Sequence, residues 1–161
     1  MYEKILVPLD GSTLAERAIR HAQEIAHGTR SEILLMQAVN FPVPVVPEAV
    51  LMPDPRWLAG AKKEASQYLE GIAAPLREAG MRVRTLLDER PPADAILHIS
   101  EREEVDLIVM STHGRGGLSR MLMGSVAESV FRATSRTVML VKPERPGVVA
   151  HPDGELYLHI P

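Results

Sequence analysis

Apolar residues along the chain fall into two kinds of segment that alternate. Short, nearly continuous apolar runs predict buried strands, and longer segments with apolar positions three and four residues apart predict amphipathic helices. The predicted strands are residues 4–7, 32–39, 81–87, 105–110 and 137–141. The predicted helices are 13–28, with Ser12 or Thr13 as cap and Gly28 as stop, then 57–79, 91–102 and 125–133.

Five strands that alternate with four helices predict an α/β fold: an open, five-stranded, parallel, doubly wound sheet with helices on both faces. In such a sheet, ligands bind beyond the carboxyl ends of the strands, where the strand order reverses. Residues 41–56 contain five prolines, which deny donors to a sheet and stiffen a loop. We interpret this segment as a flap or an interface loop.

The segment 105–131 predicts a phosphate site. A buried strand leads into a loop with Gly114, Gly116 and Gly117, and Gly124-Ser125 stands just before a helix. Glycine lets a ligand approach the backbone closely, and a helix start offers free N–H groups and the positive end of a dipole. The alternative is a glycine-rich connection with solvated arginines, because glycine loops after strands are common.

Charge around this segment favours a small anion as ligand. Residues 111–136 hold four arginines and one glutamate, a net charge of +3, whereas the whole chain carries −3. A basic pocket on an acidic protein suits a small anion better than a long nucleic acid. Aromatic residues make up 4% of the chain, too few for a surface that stacks single-stranded bases.

Two motifs resemble those of the universal stress protein family. Ser111-Thr112-His113-Gly114, then nine residues, then Gly124-Ser125 is similar to the family's nucleotide motif G-x-x-G, nine residues, G-[ST]. Ser111 stands where that motif has its first glycine. The opening from Ile5 to Ser12 also resembles the family's first strand and turn, and the similarity covers roughly residues 2–142.

The resemblance implies a strand order of 3-2-1-4-5 and ATP, possibly with Mg²⁺ on its phosphates, at the reversal between the first and fourth strands. Asp10 would accept hydrogen bonds from ribose or adenine, the Ala38 backbone would read adenine, and the glycine loop would hold phosphate. No metal ligand is expected from the protein alone. The expected nucleotide-binding residues are Pro8, Leu9, Asp10, Ala38, Ser111, His113, Gly114, Arg115, Gly117, Gly124, Ser125 and Val126.

Three functional hypotheses follow. The favoured one is an ATP-binding regulatory protein of the stress response. The others are a slow ATPase or adenylate-transferring enzyme on the same fold, and an interaction module without nucleotide. Neither a Walker sequence nor an S-G-G-x-D-S motif occurs, and no carboxylate or nucleophile has a spacing that would make His113 a general base. Asp10 could also serve as a turn or capping residue instead of binding the nucleotide.

Composition limits the remaining possibilities. The 161 residues predict one domain over 1–145, followed by an extension over 146–161. The chain has no cysteine, which excludes disulfides, thiolate nucleophiles and cysteine metal sites, and its histidines lack metal-ligand spacing. No segment predicts a membrane span or a signal peptide, so we expect a cytoplasmic protein.

The fifth strand predicts a homodimer. It is apolar on both faces, yet the expected order places it at the sheet edge, where a bare strand is an aggregation hazard. The resemblance implies pairing with the same strand of a second copy through Thr137, Val138, Met139, Leu140 and Val141. Beyond it, two apolar runs flank Pro152-Asp153-Gly154 and predict a hairpin or arm on the partner subunit. A frayed tail is the alternative.

Overall fold

A computed structural model describes residues 2–40, 45–46, 49–50, 55–112, 123–142, 148–150 and 156–158. Its strands are β1 (Lys4–Pro8), β2 (Glu32–Ala38), β3 (Val45–Val46), β4 (Ala49–Val50), β5 (Arg82–Asp88), β6 (Leu107–Ser111), β7 (Thr137–Val141), β8 (Val148–Ala150) and β9 (Leu156–Leu158). Its helices are α1 (Thr13–Thr29), α2 (Pro55–Glu78), α3 (Pro92–Arg102) and α4 (Ser125–Ala133). Among these described residues, no helix is long and apolar enough to cross a membrane.

Five strands form one parallel sheet in the order β5-β2-β1-β6-β7. Counted along the chain, these five strands have the order 3-2-1-4-5, which confirms the predicted fold class. The first strand of the chain therefore lies in the middle of the sheet, with β2 on one side and β6 on the other. Two short antiparallel pairs, β3 with β4 and β8 with β9, lie outside this sheet.

Side chains of β1 alternate between two apolar layers. Ile5 and Val7, together with Leu9 just past the strand, belong to the layer that includes residues of α1 and α2, whereas Leu6 belongs to the layer that includes residues of α3 and α4. All four side chains are at most 4% exposed, so β1 is covered on both faces. This burial explains why the strand reads as a continuous apolar run instead of an alternating one.

The ends of α1 differ from the prediction in one respect. Ser12 is the N-cap, and its Oγ accepts a hydrogen bond of 3.2 Å from the Ala15 N–H. Gly28 does not stop the helix, which continues to Thr29 and is capped by Arg30 at φ 58°. The Thr29 hydroxyl donates to the Ile25 carbonyl at 2.8 Å, within the last turn of the helix.

Other predicted boundaries also move, each by one or two residues. Part of the proline-rich segment forms β3 and β4, and α2 begins at Pro55. Strand β5 extends to Asp88. Strand β6 begins at Leu107. The N–H of Val105, two residues before it, binds the Ser100 carbonyl at the end of α3 at 2.9 Å, and the N–H of Asp106 binds the Lys4 carbonyl of β1 at 3.0 Å.

Asp106 fastens the amino ends of β1 and β6 to each other. Its Oδ2 accepts hydrogen bonds from the backbone N–H groups of Glu3, at 2.8 Å, and Lys4, at 3.0 Å. The N–H groups of Lys4 and Glu3 lower the pKa of Asp106, because they favour the charged carboxylate. This join lies at the end of the sheet opposite to the strand ends where a ligand is expected.

Candidate functional site

The carboxyl ends of β1 and β6 lie side by side at one edge of the sheet. Leu6 is in register with Ile108, and both strands run in the same direction. Past the end of β1, the Leu9 N–H donates to the Met36 carbonyl of β2 at 2.8 Å. The strand order reverses at this pair, so a crevice is expected beyond Pro8 and Ser111, the last residues of the two strands.

Asp10 forms the turn that carries the chain from β1 to α1. Its Oδ1 accepts hydrogen bonds from the N–H of Ser12 at 2.9 Å and from the Ser12 hydroxyl at 2.6 Å. Gly11 has φ 81°, a conformation that favours glycine. The turn role considered for Asp10 is therefore present, and it holds the carboxylate in one orientation at the carboxyl edge of the sheet.

The amino end of α4 lies next to the carboxyl end of β6. Gly124 is the N-cap of α4, and its N–H donates to the carbonyl of Thr112 at 2.6 Å. Thr112 is 2% exposed, and its own N–H donates to the Val141 carbonyl at 2.9 Å. The chain thus leaves the sheet at Thr112 and returns to the same point at Gly124. The first turn of α4, from Ser125, begins there with its free N–H groups.

The backbone of Ala38 faces the space beyond the end of β1. The Met36 carbonyl is directed towards β1, where it binds Leu9, and the Val39 N–H is directed towards β5, where it binds the Asp88 carbonyl at 2.7 Å. Backbone groups of a strand alternate in direction, so those of Ala38 are directed to the same side as those of Met36. Ala38 also packs against the layer that includes residues of α3 and α4.

The structure therefore brings together eight of the twelve expected residues. Pro8, Leu9 and Asp10 end β1 and turn away from it, Ala38 ends β2, and Ser111 ends β6. Gly124 and the exposed Ser125 begin α4, and Val126 packs against the layer that includes residues of α3 and α4. The other four, His113, Gly114, Arg115 and Gly117, lie outside the described residues.

Tyr68 of α2 reaches the first turn of α1, a contact that the sequence did not predict. Its hydroxyl donates to Glu16 Oε1 at 2.8 Å. Burial, followed by this hydrogen bond, raises the pKa of Tyr68 well above its ordinary value, so the hydroxyl stays protonated. A contact between side chains 52 positions apart leaves no periodic signal in the sequence.

A second unpredicted cluster lies one strand away, around Asp88 at the end of β5. Asp88 is in register with Ala38 and is 6% exposed. Its Oδ2 lies 2.8 Å from Arg90 Nη1 and 2.8 Å from His98 Nδ1. Burial alone would raise the pKa of Asp88, but the Arg90 N–H and the His98 ring outweigh it and lower that pKa. The carboxylate is therefore charged, and both of its oxygens have hydrogen-bond partners.

Within the described ranges, no group of three or more histidine, aspartate and glutamate side chains is arranged to hold a metal ion.

Comparison with known proteins identifies relatives over most of the chain. A sequence model of the universal stress protein family matches residues 1–142. The universal stress protein MJ0531 of Methanocaldococcus jannaschii is 34% identical over 145 residues, which are 88% of this chain and 83% of that protein. A universal stress protein of Methanothermobacter thermautotrophicus is 33% identical over 144 residues, 88% of this chain and 97% of that one.

Solved structures have the same fold. The structure of MJ0577, from Methanocaldococcus jannaschii, has a TM-score of 0.78 and 30% identity, and the match covers 89% of this chain and 98% of that one. A universal stress protein solved in complex with cAMP has a TM-score of 0.58 and 22% identity, over 88% of this chain and 97% of that one. The second similarity concerns the fold alone.

Proposed function

Since the chain belongs to the universal stress protein family, we propose that it is an ATP-binding regulatory protein of the stress response. ATP, with Mg²⁺ on its phosphates, occupies the crevice beyond the ends of β1 and β6. It acts there as a signal that sets the conformation of the protein or its choice of partner.

The hydrogen bond from the Gly124 N–H to the Thr112 carbonyl, at 2.6 Å, is the observation that carries this proposal. It holds the amino end of α4 at the point where the strand order reverses. Free N–H groups and the positive end of the helix dipole are then directed at the place where ligands bind in doubly wound sheets. A phosphate chain is the ligand that such an arrangement suits.

The nucleoside end of the ligand is supported by Asp10 and Ala38. A fixed carboxylate accepts hydrogen bonds from ribose hydroxyls, and a backbone edge with one donor and one acceptor matches the edge of adenine. Both observations support an adenine nucleotide instead of a bare phosphate.

We further propose a cytoplasmic homodimer joined through β7. Met139 on this edge strand is 37% exposed, and Phe131 on the neighbouring α4 is 55% exposed. Large apolar side chains at the edge of a sheet favour its coverage by a second copy.

Replacing Gly124 tests the phosphate assignment. Gly124 has φ −74° and ψ 155°, which valine adopts without strain, so Gly124→Val is expected to fold and to fill the space in front of α4. ATP binding, measured by titration calorimetry, is expected to be lost. Gly28→Ala is the matched control, because a Cβ at Gly28 meets nothing within 4 Å. Unchanged ATP affinity in Gly124→Val would refute the assignment.

The ultraviolet spectrum of the purified protein is an independent test for bound adenine nucleotide. With one tryptophan and three tyrosines, the protein absorbs weakly, so co-purified adenine raises the absorbance visibly.

A further inference from the structure

A small basic cavity opens between α1 and the carboxyl end of β7. Its volume is about 240 Å³, and the described residues that line it are Arg17, Arg20, His21, Val141 and Lys142. Arg20 and His21 follow Arg17 by three and four positions, so the three side chains lie on one face of α1. Lys142 reaches the same cavity from the sheet, directly after the last residue of β7. Basic side chains from two separate elements therefore meet in one space.

The positive charge in this cavity has little compensation. Among the described residues, its lining contains no carboxylate. Arg20 has Glu24 as an acidic neighbour, but their charged atoms are 4.0 Å apart and both side chains are exposed. Arg17 and Lys142 are exposed too, and within the described ranges neither side chain forms an ion pair. Cations that repel each other, on a chain whose net charge is −3, favour the binding of an anion between them.

The cavity and the amino end of α4 lie on opposite faces of the sheet. Val141 is 8% exposed and belongs to the apolar layer that includes residues of α1 and α2. Val126 and Ala127 of α4 belong to the other layer. The cavity is therefore separate from the place where the phosphates of ATP are proposed to bind, and a ligand in it goes beyond the proposed function.

We propose that this cavity is a second anion site, which binds a compact anion of linked phosphates without a nucleoside. The guanidinium groups of Arg17 and Arg20 present paired N–H donors that match phosphate oxygens, and Lys142 adds a point charge. The His21 ring supplies one further hydrogen-bonding nitrogen.

The size and charge of the cavity select this class of ligand. Pockets for drug-sized molecules have volumes of about 300–1,000 Å³, so a cavity of about 240 Å³ suits a smaller molecule than a nucleotide. Two arginines and one lysine are charged at neutral pH. Linked phosphates carry several negative charges within a few atoms and match these cations better than a carboxylate does.

An NMR titration of the isotope-labelled full chain with sodium pyrophosphate tests the site, at low ionic strength where exposed charges are least screened. The affinity is read from the amide shifts of His21 and Val141, so that binding at α4 does not contribute. In Arg17→Gln/Lys142→Gln this affinity is expected to fall by about tenfold or more, because hydrogen bonds to a charged group are lost.

The matched control is Lys63→Gln/Arg82→Gln, which removes one lysine and one arginine elsewhere. All four substituted positions are exposed, so both variants are expected to fold. The control is expected to keep the wild-type pyrophosphate affinity. Sodium succinate, a compact dicarboxylate, is expected to bind the wild type at least about tenfold more weakly than pyrophosphate does, because it carries less charge.

Three results would overturn the inference: no pyrophosphate-dependent shift of the His21 and Val141 amides, equal affinities in Arg17→Gln/Lys142→Gln and in the control, or succinate binding as tight as pyrophosphate binding. Failure of the proposed function has a different signature. In that case ATP leaves the amides of Ser125 and Val126 unshifted, whereas pyrophosphate still shifts those of His21 and Val141.

Discussion

At the scale of single residues, the turn role of Asp10 is compatible with its proposed role in binding the nucleoside. Its Oδ1 forms the turn with Ser12, and the same bonds fix the direction of the carboxylate. A residue that only shapes a turn could be replaced at a cost in stability alone. A residue that also binds the nucleoside would change affinity for every nucleotide that carries adenosine.

Asp10→Ala is therefore expected to weaken ATP and AMP by the same factor. A lost hydrogen bond to a charged group is worth about 1.5–3 kcal/mol, which calorimetry resolves for both ligands. Ser12→Ala is the control for the turn, since it removes the N-cap of α1 and one bond to Asp10 but keeps the carboxylate. A loss confined to ATP would instead make Asp10 a ligand of the phosphate-bound metal.

Residue partners could be predicted from the sequence only where they are close along the chain. Asp10 and Ser12 are two positions apart, and an aspartate before a helix start is a known turn signal. The partners Tyr68 and Glu16, and likewise Asp88 and His98, meet only because the sheet brings their elements together. Neither pair leaves a pattern of hydrophobic spacing, so the sequence could not reveal them.

At the scale of elements, periodicity predicted which segments are strands and helices but not where each ends. Strand β7 and helix α4 have the predicted bounds. Strand β6 starts two residues late, and the N–H of Val105 binds a carbonyl of α3 instead of one in the sheet. Arg30, not a glycine, adopts the left-handed conformation after α1. Ends depend on backbone hydrogen bonds, which side-chain spacing does not record.

The join between β1 and β6 predicts a pH dependence of stability. The pKa of Asp106 is lowered in the folded state, so its contribution is present at neutral pH and is lost as the pH falls through that depressed pKa. Asp106→Asn removes this contribution. Its unfolding free energy, measured in urea from about pH 6 to about pH 3, is expected to fall less steeply than that of the wild type.

Glu24→Gln is the control. Glu24 is an exposed carboxylate on α1, and its ion pair with Arg20 is long, at 4.0 Å. The unfolding free energy of this variant is expected to change with pH as steeply as that of the wild type. Equal slopes in Asp106→Asn and the wild type would mean that the join does not depend on the charge of Asp106.

At the scale of the whole molecule, the open edge at β7 predicts the assembly. A chain stopped after Arg145 is expected to dissociate at a higher concentration than the full chain, because it lacks the run that forms β8 and β9. Light scattering over a dilution series measures both.

Met139→Lys places a charge on the edge strand and is expected to give monomers. If the truncated and full chains dissociate at the same concentration, the extension adds nothing to the dimer. A full chain that is already monomeric would contradict the edge argument.

Because β1 lies in the middle of the sheet, its two neighbouring strands are synthesised at different times on the ribosome. The partner of Glu3 and Lys4 is Asp106, 103 and 102 residues further along the chain. At about 5–20 residues per second, synthesis of that stretch takes roughly 5–20 seconds. During this interval β2 can pair with one edge of β1. The other edge of β1, which contains Ile5, Leu6 and Val7, stays unpaired because β6 has not yet been made. Nascent chains released before β6 therefore expose an apolar edge of β1, and we expect these truncated chains to aggregate.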